Sequence, residues 1–151
     1  MKRIVCIGNA LVAEDDAGGR VHEALLRRDL PHDVELVDGG IAGLNLLRWF
    51  DGVTRVVVVD AVSGFGPAGT VHEIDASEVA SMAPDRWTHG SGLPYLLKMV
   101  PLACEGPEPD VVVVGVEMPA DEASVQEAAG YALRAAAGER EGRHSAKRGY
   151  A

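Results

Sequence analysis

Two stretches of this 151-residue chain carry four valines in succession, "TRVVVVDAV" at 54–62 and "DVVVVGVE" at 110–117. Unbroken β-branched runs of this kind mark strands covered on both faces, and such strands belong to parallel sheets flanked by helices. The rest of the chain has to supply those helices. "KRIVCIG" (2–8) predicts a first strand, followed by a helix over 17–29 in which Val21, Ala24 and Leu25 share a face. "DVELVDG" (33–39) predicts the second strand, and "AGLNLLRWF" (42–50) a helix that turns Leu44, Leu47 and Trp49 or Phe50 inward. "GTVHEID" (69–75) alternates and predicts a half-exposed edge strand. Helices are expected over 76–83, 91–100 and 121–137. Alternation of this type predicts an α/β fold, with a mostly parallel sheet between two helical layers.

Residues 1–137 read as one domain, and the polar, basic residues 138–151 as a frayed tail. Fourteen Lys and Arg stand against 23 Asp and Glu, a net charge of −9. The tail holds four basic and two acidic residues, so 1–137 carries 10 against 21, a net −11. That excess excludes non-specific binding to nucleic acid or to an anionic membrane, both of which need basic surface. It suits a cation, or a partner with a basic segment. The opening "MKRIVCIG" runs straight into a turn and does not read as a signal peptide. No apolar stretch approaches the ~20 residues of a membrane span. A soluble, cytoplasmic protein is expected. Cys6 and Cys104 lack metal-type spacing and read as reduced core thiols.

"GFGPAG" at 64–69 matches the G-x-G-x-x-G dinucleotide pattern. That pattern works only where a helix opens within it and presents free N–H groups to a pyrophosphate. Here a strand pattern follows Pro67, so the stretch predicts a glycine-rich turn. There is no P-loop, no H-E-x-x-H and no nucleophile elbow.

Ligand sites in open parallel sheets lie beyond the carboxyl ends of the strands. Glu14, Asp15 and Asp16 follow the first strand, Asp38 ends the second and Asp60 ends the third. One of the three adjacent acids, Asp16, is explained as a helix cap, but three together are not. A carboxylate after four valines is costly to bury unless it is paired. His89, before the predicted helix over 91–100, can reach the same edge, and Asp with His suits a borderline metal such as nickel or zinc. His22, His32, His72 and His144 read as surface residues.

The ordered set "IGNALVAEDDAGGRV", "LVDGGIAGLNLL", "VVVVDAV", "GPAGTV", "THGSGL" and "VVVVGVE", spanning about residues 3–118, resembles the nickel–iron hydrogenase maturation endopeptidases. The resemblance implies an α/β/α sandwich around a five-stranded sheet, mostly parallel with one antiparallel edge strand. It also implies an enzyme that removes the C-terminal extension of the hydrogenase large-subunit precursor after nickel insertion. The family's metal-binding positions fall on Asp15, Asp60 and His89, and an Asp implicated in activity or substrate recognition falls on Asp38. The nickel would be carried by the substrate rather than held permanently, and the partner would be the nickel-loaded precursor. This chain departs from the family's pattern at two places, with Asp16 for a Gly and Ile41 for the Thr of D-G-G-T. A non-catalytic checkpoint that binds the loaded precursor without cutting it is the alternative.

Overall fold

A computed structural model describes residues 1–9, 11–41, 43–82 and 92–139. Its five strands are β1 (Lys2–Ile7), β2 (Val34–Gly40), β3 (Arg55–Val62), β4 (Val71–Asp75) and β5 (Asp110–Glu117). They lie in the order β2-β1-β3-β5-β4, with every pairing parallel except that of β4 with β5. Helices α1 (Ala17–Leu26), α2 (Ala76–Ala80), α3 (Leu93–Ala103) and α4 (Glu122–Ala136) cover the two faces.

Strand alternation sorts the core into two halves. Ile4, Cys6, Val57, Val59, Val112 and Val114 pack under α1 and α4, while Val5, Ile7, Val56, Val58 and Val113 pack under α2, α3 and a 3₁₀ segment at Gly43–Phe50. Both valine runs are therefore buried on both faces, as their composition predicts. The three-layer α/β/α sandwich with one antiparallel edge strand is the architecture found. No helix among the described residues is long and apolar enough to cross a membrane.

Local chemistry sets the helix ends. Asp75 caps α2 by accepting from Ser77 N at 2.9 Å, and Asp121 caps α4 by accepting from Ser124 N at 2.8 Å. At the far end of α4, Gly138 (φ +91°) donates to Ala135 O and Glu139 N donates to Arg134 O, a Schellman closure open to glycine because of the positive φ. The tail expected at 138–151 lies, from residue 140 onward, outside the described residues.

Three expectations are corrected. Gly43–Phe50 is 3₁₀ rather than α-helical: Leu46 and Phe50 are buried, Leu47 and Trp49 pack part-buried on the same core as expected, and Leu44 is exposed; a three-residue turn changes which positions face the sheet. β4 is not half-exposed: His72, Glu73 and Ile74 are all buried. His72 is thus no surface histidine. Its Nε2 shares a hydrogen bond with Thr70 Oγ1 at 2.7 Å, and that hydroxyl lies 2.6 Å from Pro67 O.

Candidate active site

The chain leaves β1 toward β2 on one side and leaves β3 toward β4, at the far edge, on the other. The crevice between the carboxyl ends of β1 and β3 is therefore the topological switch point of the sheet. The loop after β1 is folded tightly over that crevice. Gly8 (φ +137°) turns the chain where a side chain would strike the Asp15 carbonyl oxygen, and Gly18 lets the first turn of α1 lie directly on Ile7. Between them a single 3₁₀ turn, Ala13–Asp15, packs against β3.

This turn separates the three acids. Glu14 is exposed, Asp15 is 6% exposed, and Asp16 is half-buried. Asp15 Oδ2 accepts from Asn9 N at 3.0 Å, whereas its buried Oδ1 has no hydrogen-bond partner among the described residues. Asp16 occupies the N-cap position of α1 but does not cap with its side chain. Its backbone is already helical (φ −95°, ψ 0°), where an extended N-cap is needed to swing the carboxylate onto the helix N–H groups. Its Oδ1 lies instead 4.0 Å from Arg20 Nη1.

Asp60 is wholly buried, two residues before the end of β3, so it lies within the strand. By alternation it shares the face of Val58 and Val62, the face that α3 covers. Its Oδ1 accepts from Ala61 N at 2.9 Å. Asp15 lies on the turn that packs against β3, and Asp60 lies in β3 itself. Asp38 is set apart from β3 by β1. It is exposed on the outermost strand β2, opposite Cys6 in register, and so faces the α1 side of the sheet. Its Oδ1 accepts from Gly40 N at 3.2 Å. Burial first, and then the neighbouring Asp38 carboxylate, push the Cys6 thiol far up, so Cys6 stays protonated. Both Cys6 and Cys104 are free thiols. His89 lies outside the described residues. Among the described residues, no three His, Cys, Asp or Glu side chains are gathered closely enough to hold an ion.

The glycine-rich turn at 64–69 does hold an anion, but its own. Gly64 N, Phe65 N and Gly66 N donate to the two carboxylate oxygens of Glu117 at 3.0, 2.7 and 2.9 Å. Buried Glu117 fills the place that a phosphate would take in a nucleotide-binding loop. Sequence reading missed Glu117, although an acid ending the last buried strand was a signal of the same kind as Asp60. It also missed Glu73, buried and receiving Tyr131 Oη at 2.9 Å.

Residues 20–136 match the family model for hydrogenase maturation protease. The chain belongs to that family. It is a peptide hydrolase by membership, and its relatives agree. The hydrogenase 2 maturation protease of Escherichia coli is 32% identical over 116 residues, 75% of this chain and 70% of that protein. The hydrogenase expression/formation protein HoxM of Cupriavidus necator is 32% identical over 114 residues, 74% of this chain and 56% of its own length. Among solved structures, the hydrogenase maturating endopeptidase HybD from E. coli superposes with a TM-score of 0.72 at 28% identity, covering 89% of this chain and 90% of the other. The maturation protease therefore has the fold and family that its ordered motifs imply, and its switch-point crevice is the candidate active site.

Proposed function

We propose that this protease removes the C-terminal extension of a nickel–iron hydrogenase large-subunit precursor after nickel has been inserted. Nickel would arrive as part of the substrate, and Asp15, Asp60 and His89 would complete its coordination. The observation that carries this reading is the buried Oδ1 of Asp15, which has no hydrogen-bond partner among the described residues, on the turn that packs against the Asp60 strand. A buried carboxylate oxygen left without a donor costs stability, and a bound cation offsets that cost.

Two carboxylates and one imidazole are few ligands for a permanent metal site. Weakness has a use here. A site that bound free metal tightly would no longer distinguish a loaded from an empty precursor, whereas a partial site rewards only the loaded one. The cation would supply polarisation of the scissile carbonyl or of an attacking water. The chain's own part is to fix the two carboxylates: Asn9 N holds Asp15 and Ala61 N holds Asp60, so neither has to reorganise as substrate arrives. Asp38 is exposed and close to Gly40 on the rim, which suits orienting the incoming polypeptide or accepting a proton from water.

Intact mass of the co-encoded large-subunit precursor tests the proposal. Loss of a C-terminal peptide from nickel-loaded precursor, and not from nickel-free precursor, is expected. Equal cutting of both forms would remove nickel from the account, and tight binding without cutting would leave only the checkpoint alternative.

A further inference from the structure

We propose that Leu11, Val12, Ile41 and Leu44 form a docking strip for an extended segment of the substrate polypeptide that carries aliphatic side chains and net positive charge. The proposal rests on the maturation-protease reading for the identity of the polypeptide, and on the geometry of this chain for its chemistry.

Leu11 is 94% exposed and Ile41 71%, with Val12 and Leu44 also open to solvent. Single exposed aliphatics are ordinary, but four on two adjoining loops are not. The loops are joined at their base: Gly8 N donates to Gly40 O at 2.9 Å, so the carboxyl ends of β1 and β2 leave the sheet side by side. Behind them the packing is tight. A Cβ on Gly39 would stand 2.8 Å from Ile7 Cγ2 and 3.0 Å from Leu46 Cδ2, so the chain just before Ile41 lies close on the core. Leu11 is also held by its own backbone, with Leu11 N donating to Asn9 Oδ1 at 3.0 Å and Val12 N to Asn9 O at 3.1 Å.

Charge identifies the occupant. The two loops, 8–16 and 38–44, contain Glu14, Asp15, Asp16 and Asp38 and no Lys or Arg. Glu14 and Asp38 are exposed on these same two loops. A second copy of this chain would bring the same negative loops and be repelled, as would an acidic peptide. An extended segment places alternate side chains on one side, so two aliphatics can lie along the strip while a Lys or Arg reaches the acids. Ile41, which stands where the resembled family has Thr, makes the strip more apolar in this chain and is its specificity-determining residue.

Two measurements test the strip separately from the cleavage chemistry. In the first, a fluorescein-labelled peptide of the last 25 residues of the co-encoded precursor is titrated with the full chain and read by anisotropy. Leu11→Ser/Ile41→Ser should weaken binding by about 10-fold or more, as expected for losing two aliphatic contacts. A peptide with its aliphatics changed to Ser should bind the wild type equally weakly. In the second, the same double variant should raise KM for the loaded precursor and leave kcat nearly unchanged, while Asp60→Asn lowers kcat. Unaltered peptide affinity and KM would overturn the proposal, as would sedimentation showing that the strip holds two copies together. Peptide binding that depends on the strip, without cleavage of any precursor, would sink the protease reading and leave the strip standing.

Discussion

Gly18 lies so close to Ile7 that a Cβ at its Cα would overlap the Ile7 carbonyl oxygen and stand 2.8 Å from the carbonyl carbon. This contact seats the start of α1 on the end of β1, with the turn that carries buried Asp15 between them. Gly18→Ala should destabilise the fold by about 1–3 kcal/mol, since backbone rather than a flexible side chain has to yield. Urea unfolding measures this. Precursor cleavage should fall further than stability alone explains, because the Asp15 turn moves with the helix.

Glu117 pins the glycine-rich turn by three backbone hydrogen bonds. In Glu117→Gln one of the oxygens becomes an NH₂ group facing an N–H donor. The expected loss is about 1–3 kcal/mol, the usual consequence of leaving a buried donor unmatched. Amide exchange at Gly64, Phe65 and Gly66 should accelerate in the variant, and amides of β1 much less so.

Asp121 is held below its ordinary carboxylate value of 3.8, first by the backbone N–H of Ser124 and then by its hydroxyl. A folded-state value lowered in this way stabilises the protein above pH 3.8 and loses that contribution as pH falls through the folded value. Wild type should therefore be more stable than Asp121→Ala at pH 7, and the difference should close below pH 3.8. Thermal midpoints of both proteins across that range give the comparison.

Cys6 is buried and kept protonated, while Cys104 is only partly covered and its Sγ donates to Phe50 O at 3.6 Å. Thiolate is the reactive form. Iodoacetamide at pH 8 should label the native chain on Cys104 before Cys6, and both at once in guanidinium. Rapid labelling of Cys6 in native protein would mean that β1 opens far more readily than a central strand should.

Much of this architecture is written in hydrophobic patterning. The valine runs announce doubly covered strands, and the order of strands and helices announces the layers, because both signals are local. The errors occur where a tertiary contact overrides a local pattern. Leu44 looks inward on a 3.6-residue helix and is outward on a 3₁₀ turn. Asp16 looks like a cap, yet its backbone has already entered the helix. His72 and Glu73 are polar letters in an alternating strand, and partners such as Thr70, two residues before His72, and Tyr131, brought to Glu73 from α4, make their burial tolerable. In the candidate site, Asp15 and Asp60 are marked as acids just after one apolar strand run and just after the valines of another. That Asp15 and not Glu14 faces inward depends on the packing of Gly8 and Gly18, which no spacing rule conveys.

The most direct test of the account is cleavage of nickel-loaded precursor by Asp15→Asn and Glu14→Gln side by side, followed by intact mass. The buried carboxylate should matter and its exposed neighbour should not. Asp15→Asn is expected to lower the rate by about 100-fold, corresponding to about 2.7 kcal/mol of lost transition-state stabilisation, with Glu14→Gln within about twofold of wild type. Full activity in Asp15→Asn, or loss of activity only in Glu14→Gln, would contradict the assignment of the switch-point crevice as the place where the substrate's nickel is read.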